Sequence, residues 1–509
     1  MAFDPTSEGS DVTDRRWSRR ELLAGAGVIA VSGVLAPAAF AGAVSTTTAP
    51  SPKSVGPNDP TVAAREAKRR RAGAGLVKAT VTASAIKTVV GGREVATWAF
   101  GERPGSGGIR AKVGDLIEAT FVNKLPSANT LHWHGIALRN DMDVVPGLTQ
   151  AAVEPGRTFT YRFTASDAGT YWFHPHMGLE LDKGLYAPFI IDDPNDPIDA
   201  DIDVTLMLDD WLDGYGRTQQ QVLAELQKSG GHSGHSMGSM GSMNMGAGLN
   251  GDVTYPLHVI NGRGPSERET IAARAGQRVR IRIINAASDT PYRFAIADHR
   301  LTITHADGFP VDSVEVDNVV LGMGERYDVI VTAKSGAFAI VAAPEGKKDP
   351  AAEAVLRTVP GATPPNTGTR PAGLNGRALK YSDLKSTEAA RLPTRKPTRT
   401  STIRLTSSAA GYTQGINGRS FPNSEPITIS EGERLRLRVT NDTMMFHPIH
   451  LHGHTFQLVG SGRKDTVNVP SMKTVELDIE GENPGQWMLH CHNTYHLETG
   501  MATILSYRR

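Results

Sequence analysis

The sequence predicts an all-β chain of three β-sandwich domains, on three observations. A ten-residue pattern opening on Gly and closing on Asn occurs three times, as GDLIEATFVN at 114–123, GQRVRIRIIN at 276–285 and GERLRLRVTN at 432–441. A second pattern closes each copy: GTYWFHPH at 169–176, GAFAIVAA at 336–343 and GQWMLHCH at 485–492. Between them run short alternating segments, such as TFTYRF at 158–163 and TVELDI at 474–479, broken by Gly and Pro.

Each element follows from its periodicity. In the first pattern apolar residues fall at every second position: Ile117, Ala119 and Phe121, then Val279, Ile281 and Ile283, then Leu435, Leu437 and Val439. A period of two gives a strand with one buried face. The copies stand too far apart for a solenoid, whose period is about 20–50 residues, so they mark duplicated domains. The expected domains are 75–197, 198–349 and 385–509, with a Pro/Thr/Arg-rich linker at 350–384.

Composition narrows the class. With 39% hydrophobic and 21% charged residues, the 509-residue chain is ordinary for a globular protein and too mixed for a membrane-spanning one. Lys plus Arg is 54 and Asp plus Glu is 53, a net charge of +1 that gives no global attraction to nucleic acid or an anionic membrane. The single cysteine, Cys491, excludes an internal disulfide.

The N-terminus reads as an address. Ser18, Arg19, Arg20, Glu21, Leu22 and Leu23 resemble a twin-arginine export signal, expected to span 1–43. Small residues offer cleavage sites at Ala39-Phe40-Ala41 or Ala41-Gly42-Ala43, and Pro37 with the Gly-rich run makes a poor membrane span. The expected destination is periplasmic, cell-envelope or extracellular, with no stable membrane span after cleavage. Residues 44–74, rich in Ser, Thr, Pro, Ala and basic residues, read as a disordered tether, with Lys68 to Arg71 solvated.

Histidines overlie the repeats. Nine and eleven residues after the closing Asn stand His132 and His134 in copy one, and His450 and His452 in copy three. Five and seven residues after the second Gly stand His174 and His176, and His490 and His492. Copy two has Phe294, Ile296, Val341 and Ala343 at those places. Residues two apart on a strand share a face, so each pair presents two imidazoles to one cavity. Neutral imidazole suits Cu, Zn, Fe and Ni. Eight histidines thus converge where domains one and three face each other, and domain two serves as spacer and wall.

Cys491 lies between His490 and His492, and alternation turns its sulfur to the opposite face. His447, His496 and Met501 stand close in sequence to these motifs. Two histidines, one cysteine and a weak methionine make a trigonal blue-copper electron-transfer site. Domain one has Asn129 and Pro175 in place of His447 and Cys491, and so lacks that second site.

HWHG at 132–135, HPH at 174–176, HPIHLHG at 447–453 and HCHNTYHLETGM at 490–501 resemble the four ordered motifs of the three-domain multicopper oxidases, which include laccases, ferroxidases and bacterial copper-resistance oxidases. The resemblance implies cupredoxin-like Greek-key sandwiches and four copper ions. His447, Cys491, His496 and Met501 would hold the type 1 copper. His132 and His450 would hold the type 2 copper, and His134, His174, His176, His452, His490 and His492 the type 3 pair. Electrons would cross from Cys491 to His490 or His492, reducing dioxygen to two waters. Asp143 resembles the family's acid near the cluster. Where many bacterial members have an acid directly after the last type 1 histidine, this chain has Leu497, with Glu498 one later as the second candidate.

The segment 229–246, SGGHSGHSMGSMGSMNMG, carries His232, His235, Met237, Met240, Met243 and Met245. A Gly/Ser linker has little use for methionine, and soft thioethers select Cu(I). It is expected to gather accessory copper. The expected activity is an exported copper-tolerance oxidase of Cu(I), also accepting Fe(II) and phenols, with dioxygen as co-substrate, no nucleic-acid partner and a monomeric state. A laccase acting mainly on organic phenols and a non-catalytic copper-binding protein are the alternatives. His258, His299, His305 and His454 read as structural, as does the turn Arg463-Lys464-Asp465-Thr466.

Overall fold

A computed structural model describes residues 54–230, 250–408 and 410–509. The all-β expectation holds, with strands assembled as paired sheets. In domain one a four-stranded sheet runs in the order Arg93–Ala99, Leu76–Val90, Leu116–Asn123, Thr158–Thr164. A second sheet runs Ile109–Lys112, Ala187–Asp192, Gly169–His174, His132–His134. Domain two pairs a six-stranded with a five-stranded sheet, and so does domain three.

The first repeat is the same structural part each time. Leu116–Asn123, Arg278–Asn285 and Arg434–Asn441 each pair in parallel with the strand that opens their domain, and antiparallel with a later strand. Their alternate apolar residues are fully buried. The closing Asn of each copy is buried and caps its own loop. Asn123, Asn285 and Asn441 each donate through Nδ2 to backbone carbonyls and accept a backbone N–H two residues on. That requirement explains why the repeat ends on Asn.

The second repeat supplies the site. Gly169–His174 pairs antiparallel with His132–His134, setting His132 opposite His174. Gln486–Cys491 pairs with His447–Leu451, setting His450 opposite His490. The alternation is visible in the HWH motif. Its imidazoles point to the site, while Trp133 enters the core against Tyr161, Phe163, Phe173 and Phe189 at centroid distances of 4.9–5.7 Å.

Two expectations need correction. Within 44–74, residues 54–69 are not a free tether. Asp59 caps a helix over Pro60–Arg69, its carboxylate accepting Thr61 N–H at 3.0 Å, and Pro60 opens it. Glu66 is 1% exposed and accepts the amide and hydroxyl of Thr164 in domain one at 2.8 and 2.7 Å. Val55 bonds Tyr507 and Gln486 of domain three, and Arg65 reaches Glu482. This segment therefore straps the outer domains together. Its polar composition misled because few residues face inward, Val55, Val62 and Glu66 above all; the Lys68, Arg70 and Arg71 side chains are exposed as expected, but the Arg69 side chain is 9% exposed and lies 3.9 Å from Glu66. Residues 1–53, the expected export signal over 1–43 among them, lie outside the described residues. The linker at 350–384 also starts too early. Ala352–Arg357 is a largely buried strand of the domain-two sheet, paired with Ala337–Pro344 and Glu269–Ala272. Among the described residues no helix is long and apolar enough to cross a membrane.

Candidate metal centre

All eight histidines of the four motifs meet in one buried place, each at most 3% exposed. The rings interleave between lobes. His132 of domain one stacks on His452 of domain three at 3.8 Å, and His134 on His450 at 3.7 Å. His176 of domain one lies 5.1 Å from His490 of domain three, ring centre to ring centre. His174 lies 5.2 Å from His492 on the same measure.

The ring nitrogens show what the cluster suits. His452 Nε2 is 3.1 Å and His176 Nε2 is 3.5 Å from His490 Nε2. Opposite faces are fixed from outside: His174 Nδ1 faces the Pro175 carbonyl and His490 Nδ1 the Cys491 carbonyl, both at 2.9 Å. Among the described residues, His132 Nε2, His134 Nδ1, His174 Nε2, His176 Nδ1, His450 Nε2 and both nitrogens of His492 are buried without a partner. Each orphan costs about 1–3 kcal/mol unless something satisfies it. Burial, reinforced by neighbouring imidazoles, drives His132, His134, His176, His452, His490 and His492 well below the usual histidine range. Burial takes His174 down to about 3. A packed set of neutral imidazoles with free lone pairs fits metal cations and little else.

A second centre lies on the other face of the HCH strand. Cys491 Sγ is 3.6 Å from His447 Nδ1 and 3.5 Å from His496 Nδ1, and the two nitrogens are 3.1 Å apart. Three soft or borderline donors thus form a small triangle, all buried. Met501 is buried beside them. Its carbonyl accepts Cys491 N–H at 3.0 Å and its N–H donates to the His496 carbonyl at 2.9 Å. The far nitrogens are held too: His447 Nε2 lies 2.7 Å from Thr443 Oγ1, and His496 Nε2 lies 3.0 Å from Asp252 of domain two. Burial lowers His496, but Asp252 and the Cys491 thiol outweigh it and raise the imidazole to about 10.

The candidate acids are placed as well. Asp143 is fully buried, 2.8 Å from His132 Nδ1 and 3.0 Å from His452 Nδ1, so one carboxylate joins rings of both lobes. Glu498 lines a cavity of about 20 Å³ with His174, His176, His490 and His492. Burial pushes its carboxyl up to about 7. His232, His235, Met237, Met240, Met243 and Met245 lie outside the described residues. His454 faces away, bonded to Tyr507 OH and the His452 carbonyl.

Sequence reasoning missed three participants. Asp252 holds His496 from domain two. Gly324 of domain two lies against His134 and His492, where a Cβ would come within 2.9 Å of both rings. Asp465, expected to be structural, sits 3.3 Å from His134 Nε2 and 3.5 Å from His450 Nδ1. No spacing marks any of them, since Asp252 and Gly324 meet the site from domain two and Asp465 reaches His134 of domain one.

Three family models described as multicopper oxidase match residues 82–196, 203–360 and 391–508. The chain belongs to the multicopper oxidase family: it is an oxidoreductase of three cupredoxin-like sandwiches whose cofactors are four copper ions, one type 1, one type 2 and two type 3. It is 41% identical to the multicopper oxidase MmcO of Mycobacterium tuberculosis, over 98% of this chain and 99% of that one. It is 28% identical to copper resistance protein A of Escherichia coli, over 77% of this chain and 86% of that one. Among solved structures, the laccase from Botrytis aclada superposes with a TM-score of 0.71 at 24% identity, over 86% of this chain and 88% of that one, and so shares the fold.

Proposed function

We propose that this chain is an exported copper oxidase that protects against copper by oxidising Cu(I), and that it accepts Fe(II) and phenols as well. The observation that carries the reading is the tripeptide His490-Cys491-His492, which places a three-donor centre and an eight-histidine cluster on opposite faces of one strand. In this reading His447, Cys491, His496 and Met501 hold the type 1 copper, and His132 and His450 the type 2. His134, His174, His176, His452, His490 and His492 hold the type 3 pair. When bound, these coppers take single electrons at one centre and supply four to dioxygen, yielding water, at the other.

The chain's own groups do the rest. Cys491 joins the two centres through a few covalent bonds, and its carbonyl also meets His490 Nδ1, giving a second short connection. Asp252 ties His496 to domain two. Asp143 orients His132 and His452 and stands ready to pass protons. Glu498, partly buried beside four histidines, is the second proton donor. The buried walls, Trp172 at 4.4 Å from His174 among them, keep bulk water from the cluster.

The reductant follows from soft chemistry. Met237, Met240, Met243 and Met245, with His232 and His235, precede Asp252 closely in the chain. Thioethers capture Cu(I), and the relative named copper resistance protein A supports a role in copper tolerance. The twin-arginine-like segment supports export to the periplasm, envelope or exterior, and we favour a monomer. Oxygen uptake by copper-loaded protein on Cu(I), Fe(II) and a phenol tests the reading. Deleting 231–246 is expected to lower Cu(I) turnover several-fold and leave phenol turnover unchanged. Equal Cu(I) turnover in the deletion would remove the gathering role, and phenol turnover far above Cu(I) turnover in the intact protein would make it a laccase instead.

A further inference from the structure

Domain two lends no histidine to the cluster, yet a fully buried charge network ties it to the cluster wall. The carboxylate of Asp465 in domain three takes two guanidinium N–H groups of Arg326 in domain two, at 2.6 and 2.7 Å. The pair is bidentate, the strongest form of charge-assisted hydrogen bond. Its Oδ1 also lies 3.3 Å from His134 Nε2 and 3.5 Å from His450 Nδ1. Thr466 bridges the same groups: its hydroxyl donates to Asp465 Oδ1 at 2.8 Å and lies 3.2 Å from His134 Nε2 and 3.1 Å from His450 Nδ1. His134 and His450 come from different lobes and stack with an interplanar angle of 11°. One carboxylate and one hydroxyl therefore address both.

Arg326 is anchored in turn. Its Nε donates to the Thr170 carbonyl at 3.0 Å, on the domain-one strand that carries His174. Asp307 of domain two accepts the Asp465 and Thr466 amides at 3.2 and 3.1 Å and forms an ion pair with the Lys464 ammonium at 3.0 Å. Glu325 takes the same ammonium at 3.0 Å. Gly135 of the HWHG motif is explained by this packing. A Cβ there would strike both Arg326 and Asp465, and its φ of +91° suits glycine. Two buried cations, Arg326 and Lys464, face three buried carboxylates, Asp307, Glu325 and Asp465.

We infer that Asp465 is a positioning residue for the metal cluster, fixing His134 and His450 from outside the ligand set, and that Arg326 is the grip by which domain two holds both histidine-bearing lobes in register. The inference rests on the reading that the eight histidines hold copper. Asp465→Asn keeps the shape and removes the charge. Full-length protein, wild type and variant, is loaded with copper and dialysed against a copper chelator. Copper per chain, the type 2 signal in electron paramagnetic resonance and the blue band are then read together. In D465N the chelator concentration that strips the type 2 copper is expected to fall by about tenfold or more, the cost typical of losing an outer partner of a metal ligand. The blue band should be unchanged. A variant that keeps four coppers and the wild-type type 2 hyperfine splitting overturns the inference. If D465N gives no blue band and so fails to fold, Arg326→Lys reads the same signal with the charge kept. An altered type 2 hyperfine splitting supports the inference, and a wild-type splitting overturns it. A wild type that takes up only the blue copper would instead sink the cluster reading, and this inference with it.

Discussion

Cys491→Ser is expected to leave a colourless protein that still binds copper at the eight-histidine cluster. Turnover on every one-electron reductant should fall by roughly three orders of magnitude, about 4 kcal/mol in the barrier. A serine hydroxyl is harder than a thiolate and stays protonated, so it neither gives the sulfur-to-copper colour nor conducts. The rest of the site is spared. Among the described residues the polar partners of the sulfur are His447 and His496, while His490 and His492 on the opposite face keep their surroundings. The hydroxyl fits the same buried space, and both Nδ1 atoms can bond to it, so folding should survive. Absorption, copper content and oxygen uptake check this together. A blue C491S protein, or one that turns over normally, would contradict the assigned wire.

His492→Ala should produce the reverse pattern: full colour and no oxygen uptake. Both nitrogens of His492 are buried with no partner among the described residues, so its removal breaks no hydrogen bond. What it loses is ring packing against His134 at 4.9 Å and His174 at 5.2 Å, together with any metal bond. The three-donor centre across the strand is untouched. Copper content should drop below four while the type 1 copper can still be reduced but not reoxidised by oxygen. Stopped reduction under air, followed at the blue band, measures this. Oxygen uptake near the wild-type rate in H492A would show that the cluster lies elsewhere.

These two variants separate cleanly because alternation along one strand does the separating, and that much was legible from residue order alone. The pairs at 132/134, 174/176, 450/452 and 490/492 could be read because duplication repeats their offsets and a period of two fixes their facing. The Cys491 direction followed from the same rule. What remained illegible acts through space rather than along the chain. Asp465 looked like part of an ordinary turn because its importance comes from Arg326, a long way back in sequence and in another domain. The role of Gly324 is an absent side chain, which no spacing reveals. The helix Pro60–Arg69 was hidden in a polar, basic stretch because it buries little more than Val62 and Glu66. Its inward charge, Glu66, answers Thr164, whose need for a partner no local pattern announces.

The most direct measurement is a crystal structure of copper-loaded protein with anomalous scattering recorded at the copper edge. One peak should lie among His447, His496 and Cys491, and three should lie together among the eight histidines shared by domains one and three. Separate, isolated peaks in each outer domain, or none beside Cys491, would contradict a single wired cluster.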